Sequence, residues 1–268
     1  MKLTIIAVSV GLAIHVAVAG ELTTAEDVMK FSIEKSDSYK TFSADMTQSM
    51  NMMGMAMTVK GRMQFKQPAL MRFEMEMPMM GQTQKVLGVI GGDKIIWQEM
   101  QMGAMTQVIK IDFQKVPTNS AAAAALKNPF EGMDPKQQWR AAQEKYDFKL
   151  TGTGELRGQR MYVVLGTPKP DAKWTPQETA MGISSARDKV YIGQQDGFMH
   201  KMELLEKTGT NIIMSMEFTN LKFNQDLPES RFIYKPPPDV QVMDMTQMMQ
   251  QMAAPPPTSP PPLPPETK

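Results

Sequence analysis

The sequence predicts an α+β fold built on an antiparallel β-meander. Three observations lead there. Apolar and polar residues alternate with a period of two over long stretches, which is the mark of a half-buried strand. The connections between those stretches are short and turn-like, which favours hairpins over the long crossovers of parallel sheets. Helical signals occur only in a few places, so the order reads helix, strands, helices, strands.

The first helix opens at Thr23-Thr24-Ala25-Glu26-Asp27. Thr23 with Glu26, or Thr24 with Asp27, has capping-box spacing, and the helix is expected to run to about Asp37. Strands follow at 42–47, 55–65 and 70–77, with a turn at Asn51 to Gly54. The clearest alternation lies in GRMQFKQPALMRFEMEMPM, Gly61 to Met79. There Met63, Phe65, Met71, Phe73, Met75 and Met77 occupy one face, and Arg62, Gln64, Lys66, Arg72, Glu74 and Glu76 the other. Residues 84–90 and 95–100 form a hairpin around Gly91-Gly92-Asp93-Lys94, and 107–113 form a further strand. Ser120 to Lys127 is helix-forming and stops at Asn128-Pro129; Asp134-Pro135 opens another helix through Trp139 to about Lys145. Strands resume at 146–151, 155–156 and 159–167. Residues 168–188 read as an insertion with a short helix from Thr175. Strands at 189–192, 198–206 and 211–223 follow, with Phe232-Ile233-Tyr234 as a last short strand.

The ends differ from the middle. Residues 1–19 have the form of a cleavable secretory signal: Lys2, an apolar stretch from Leu3 to Val18, and Ala17-Val18-Ala19 as the cleavage site. The rival reading is a retained membrane anchor, for which the apolar run is short. Residues 20–244 are expected to form one domain, with room for a sizeable core. Residues 245–268 are expected to be a Met/Gln- and Pro-rich disordered tail; Ala253 to Lys268 contains eight prolines.

Composition excludes several functions. There is no cysteine, so disulfides and a lipid anchor on an N-terminal cysteine are excluded. With 29 Lys and Arg against 28 Asp and Glu, no basic field exists to draw in nucleic acid. Beyond the signal there is one histidine, His200, expected as a half-exposed strand residue, and no H-E-x-x-H. Gly182-Ile183-Ser184-Ser185-Ala186 lacks the last glycine of a nucleophile elbow. No enzyme activity, cofactor or resident metal is expected, and the exported chain is placed in the periplasm.

The chain has 29 methionines, 14 of them between Met50 and Met105. Three readings stand open. Methionine fills irregular core space; it lines cavities that repack around varied apolar ligands; and M-x-M spacing can present thioethers to Cu(I) or Ag(I). Met50 to Met57, Met75 to Met80, and Met243 to Met252, the last read as lying outside the sheet, have that spacing.

Several motifs taken together are specific. They are Tyr39, Phe42, Ala44, Met46 and Gln48; Gly61, Met63, Phe65, Pro68 and Met71-Arg72-Phe73-Glu74; and Gly92-Asp93-Lys94-Ile95-Ile96-Trp97. Near the end come Asp196-Gly197-Phe198, Phe218-x-Asn220-Leu221-x-Phe223-Asn224, Leu227-Pro228 and Phe232-Ile233-Tyr234-Lys235-Pro236-Pro237-Pro238. In this order they resemble the periplasmic outer-membrane lipoprotein carriers, the LolA-like lipoprotein-sorting family, over roughly residues 24–244. The resemblance implies a strongly curved antiparallel sheet, an unclosed half-barrel with helices covering its concave face. It implies a monomeric carrier that holds the acyl chains of lipoproteins, or other lipids, in an apolar groove and passes them toward the outer membrane. Met63, Phe65, Met71, Phe73, Met75, Met77, Ile95 and Trp97 would line that groove, and Ala122, Leu126 and Trp139 would sit on lid helices. An inner-membrane ATP-driven releasing complex and an outer-membrane acceptor are the implied partners. Related proteins also serve as envelope-stress sensors, which stays open beside the soft-metal and structural readings. One departure stands out: the family's latch arginine before the proline is Gln67 here.

Overall fold

Alternation along the strands turns into one long open sheet. The structure is a computed structural model, and it describes residues 21–52, 55–79, 81–115, 135–246 and 250. The signal segment 1–19, the helix at 120–127 with Ala122 and Leu126, and the proline tail lie outside the described residues. The elements are α1 (Ala25–Ser38), β1 (Thr41–Met52), β2 (Met55–Lys66), β3 (Leu70–Met79), β4 (Gln82–Ile90), β5 (Ile95–Met102) and β6 (Met105–Asp112). Then come α2 (Pro135–Lys145), β7 (Tyr146–Leu156), β8 (Gln159–Pro168), α3 (Pro176–Ala180), β9 (Arg187–Gly193), β10 (Met199–Leu205), β11 (Ile212–Phe223) and β12 (Val242–Asp244).

The described strands form a 12-stranded sheet in the order β12-β6-β5-β4-β3-β2-β1-β11-β10-β9-β8-β7. Two meanders, β1 to β6 and β7 to β11, join where β11 returns antiparallel beside β1. Every pairing is antiparallel except β12 on β6. The sheet does not close, since β7 and β12 stand at opposite ends of the order. This is the expected α+β half-barrel with helices against one face.

That helix-bearing face is the inner face of the sheet. Thr24 caps α1 as the spacing requires: its hydroxyl oxygen accepts from the Asp27 backbone N–H at 3.1 Å. Ala25 and Val28 of α1 are buried against Tyr162, Val164, Val190 and Ile192 of β8 and β9, which makes the core of this half. Lys136 at the start of α2 pairs with Asp37 at the end of α1 at 2.8 Å. The short helix α3 begins with a reciprocal box: Glu178 N–H donates to Thr175 Oγ1 at 3.2 Å, and Thr175 N–H donates to Glu178 Oε2 at 2.9 Å.

The outer face carries a feature absent from the sequence reading. Phe232-Ile233-Tyr234 is not a strand; a 3-10 turn spans Glu229–Phe232, and the following prolines cannot donate to a ladder. Residues 224–246 instead cross the outer face as a strap. Lys40 N–H donates to Asn224 Oδ1, Thr41 Oγ1 to the Gln225 carbonyl, and Lys66 Nζ to the Leu227 carbonyl. Further along, Arg72 donates to the Arg231 carbonyl and the Tyr234 hydroxyl to Glu99. The strap ends as β12 on β6, where Asp112 N–H donates to Thr246 Oγ1 at 2.9 Å. Met243 therefore lies within the sheet, not outside it as expected. Phe232 and Leu227 are buried under this crossing.

Candidate functional site

The candidate site is the inner face of β2 to β6. Strand register puts its side chains in rows, because directly opposed residues in antiparallel strands share a face. One row runs Phe42, Phe65, Met71, Ile90, Ile96 and Ile111 across β1 to β6. The next runs Ala44, Met63, Phe73, Gly88, Gln98 and Ile109, and a third Met46, Gly61, Met75, Val86, Met100 and Gln107. A fourth holds Met77, Gln84, Met102 and Met105. Six of the expected lining residues, Met63, Phe65, Met71, Phe73, Met75 and Met77, thus stand together, and each is only half-buried.

Two glycines shape this surface. A Cβ on Gly88 would fall 2.0 Å from the Phe73 ring, so the tip of the ring sits over β4 where no side chain stands. A Cβ on Gly61 would meet the Glu74 carbonyl at 2.5 Å and Met75 Cγ at 3.0 Å. The Phe73 and Met75 side chains lean over these gaps, leaving a low floor in the middle of the face. At the β1 side an aromatic group borders it: Phe42 packs on Phe65 and on Phe198, each at 5.4 Å between ring centres.

Ile95 and Trp97 do not join this floor. Both have the opposite phase from Ile96 and Gln98, so they project from the outer face, where Trp97 packs on Tyr234 of the strap at 5.4 Å. The run Val86-Leu87-Gly88-Val89-Ile90 in β4 explains the misplacement. It is apolar on both faces, so alternation there has no polar side to set its phase. Trp139 of α2 lies toward the opposite end of the sheet, packed on Phe148 of β7 at 4.6 Å.

The turn between β2 and β3 takes a different role from the family latch. Gln67 Nε2 donates to the Asp37 carbonyl at the end of α1, at 3.1 Å. Arg72 points outward as its phase requires, pairing with Glu74 at 2.8 Å and holding the strap.

Titratable groups on the inner side are few. His200 is buried, not half-exposed as expected, and its Nε2 lies 2.9 Å from Asp196 Oδ2. Burial would raise the Asp196 carboxyl, but hydrogen bonds from His200 and the Phe198 N–H hold it below the usual carboxylate range. The Tyr39 hydroxyl donates to the Asp196 carbonyl, so the pair fastens the β9–β10 turn to the residue after α1. Asp188 was missed by the sequence reading. It sits between Gly166 and Leu204 on the inner face, its Oδ1 is buried without a hydrogen-bond partner, and burial pushes its carboxyl up to about 6. Its position two residues before Val190, in apolar phase, was the available signal. Among the described residues no group of three or more His, Cys, Asp or Glu could hold a metal ion, and no helix is long and apolar enough to cross a membrane.

No family model and no curated protein matches the chain. Solved structures similar to it include the MucA/MucB complex of Pseudomonas aeruginosa, with TM-score 0.42, 15% identity, and coverage of 78% of this chain and 60% of that one. A LolA superfamily protein from Nitrosomonas europaea gives TM-score 0.32 and 11% identity over 80% of this chain and 99% of that one. LprF from Mycobacterium bovis gives 0.44 and 10% over 77% and 97%. One of these structures bears the name of the family that the sequence motifs resemble. The chain spans 60% of the length of the matched chain in the MucA/MucB complex.

Proposed function

We propose that the inner face of β2 to β6 binds acyl chains, and that the protein is a periplasmic carrier of lipoproteins or other lipids toward the outer membrane. The observation that carries this reading is the set of in-register rows of methionine, phenylalanine and isoleucine, most of them half-buried. A chain of ~16 carbons costs about 12 kcal/mol to expose to water, at ~0.8 kcal/mol per methylene. A broad apolar floor offsets that cost, and methionine adapts to chains of different shape. The opposite face of the same strands carries Arg62, Glu74 and Glu76 and is crossed by the strap, so the inner face is the one that offers a broad apolar surface to a ligand. Gln67, bonded to the end of α1, holds the β2–β3 turn at the border of this floor. The signal-like N-terminus and the sequence resemblance support the compartment and the direction of transfer. Removing a lipid from a membrane is uphill, which calls for an energy-supplying donor and an outer-membrane acceptor.

A dansyl-labelled fatty acid tests the groove. Wild type is expected to bind it with one saturable site, and Phe73→Glu with Met75→Glu to weaken binding by about 100-fold or more, because two carboxylates would have to be desolvated under the chain. Lys85→Glu, at an exposed position of β4, serves as the control and is expected to bind normally. A folded double variant that binds as tightly as wild type would remove the assignment.

A further inference from the structure

A second feature of the inner face lies outside the rows just described. At the far end of β1, Met50 stands directly opposite Met57 of β2 on one side and Met214 of β11 on the other. Three strands therefore bring three thioethers to one level of one face. Gln48 lies in the neighbouring row, and its Nε2 donates to both Met50 Sδ at 3.6 Å and Met214 Sδ at 3.3 Å.

That contact is chemically informative. A thioether is a weak acceptor and an amide has better partners in water. Two sulfurs turned toward one nitrogen mean that their lone pairs converge on a single point. The third sulfur-bearing side chain, Met57, is Met50's direct cross-strand neighbour, where Cβ atoms stand about 5 Å apart. Convergent neutral thioethers suit one class of ion: soft, monovalent, and tolerant of low coordination. Hard or borderline divalent ions prefer carboxylate or imidazole, and the carboxylate of this row, Asp188, stands two strands beyond Met214 with Leu204 between them.

We infer that Met50, Met57 and Met214 form a binding site for Cu(I) or Ag(I), with the Gln48 amide occupying the ion's position in its absence. All three methionines are half-buried, so an ion can reach them from the inner face while water is partly excluded. The site differs from the M-x-M reading of the sequence: its ligands come from three strands, and spacing along one strand places only alternate members on the face.

The test uses the full chain with Ag(I) and, anaerobically with ascorbate, Cu(I). Native mass spectrometry counts the bound ions, and competition with a chromogenic Cu(I) chelator gives relative affinity. Wild type is expected to hold one ion more tightly than the remaining methionines do. Met50→Leu with Met214→Leu keeps apolar volume and is expected to lose that ion or bind it at least tenfold more weakly. Met181→Leu with Met243→Leu, at exposed positions, is expected to bind as wild type. With methyl-labelled methionine, Ag(I) is expected to shift first the resonances that disappear in Met50→Leu, Met57→Leu and Met214→Leu. Binding unchanged in the Met50/Met214 variant, first shifts at other methionines, or no ion retained by wild type would each overturn the site. Should the double variant fail to fold, each single Leu variant is expected to weaken Cu(I) by several-fold, and three unchanged affinities would overturn it equally.

Discussion

Phe232→Ala is expected to destabilise the protein by about 3–5 kcal/mol, the usual range for truncating a buried phenylalanine. Phe232 is 2% exposed and closes the 3-10 turn from which the strap continues across the outer face. Its loss opens a cavity beneath the strap and loosens the segment that brings Tyr234 over Trp97 and β12 onto β6. The neighbouring Ile233 is 61% exposed, so Ile233→Ala is expected to change stability by no more than ~0.5 kcal/mol. Urea unfolding of both variants checks the contrast, and amide exchange checks its location. In Phe232→Ala the added exchange should concentrate at β12 and β6. Equal destabilisation by the two variants would show that the strap is not anchored at Phe232.

Asp188→Asn is expected to act in the other direction and to depend on pH. Burial pushes the Asp188 carboxyl from 3.8 up to about 6 in the folded chain. The folded state therefore holds its proton more tightly than the unfolded state does, and ionisation penalises folding. The penalty is absent below pH 3.8, grows between there and about 6, and is complete above. A displacement of this size corresponds to roughly 2–3 kcal/mol, and the asparagine amide, itself left unpaired, returns part of it. The variant is thus expected to be about 1–2 kcal/mol more stable than wild type at pH 7 to 8, with the advantage lost and its sign reversed as pH falls toward 4, where only the cost of the unpaired amide is left. Thermal unfolding across that range checks it. A constant difference at all pH values would mean that Asp188 ionises normally. Tyr146 responds to the same surroundings: burial first, then the Asp188 and Glu178 carboxylates, push its hydroxyl up.

The parts of the fold that could be read from the sequence are those where chemistry along the strand is two-sided. In β3, charged residues alternate with Met71, Phe73, Met75 and Met77, and the phase is unambiguous. The capping of α1 by Thr24 was likewise local, and it formed as spaced. Trp97 was misassigned because β4 is apolar on both faces and the run Ile95-Ile96-Trp97 at the start of β5 has no polar residue to set its phase. The strap itself was invisible. Its contacts join residues far apart in sequence, and Phe232-Ile233-Tyr234 has strand composition although the prolines after it prevent a ladder. The parallel seating of β12 on β6 has no local signature at all. The convergence of Met50, Met57 and Met214 depends on β11 lying beside β1, a pairing that no spacing rule along the chain contains.

The strap is fastened separately at the start of β1 and at β2, β3, β5 and β6, through Gln225, Leu227, Arg231, Tyr234 and Thr246. A bend between any two of these strands would strain at least one fastening. It works as a batten nailed across planks, and the six strands behind the apolar floor move as one plate. A bulkier occupant would then be accommodated above that plate, by methionine rotamers and by the elements that cover it, while the plate keeps its curvature. Fitting and release would be governed from one side only.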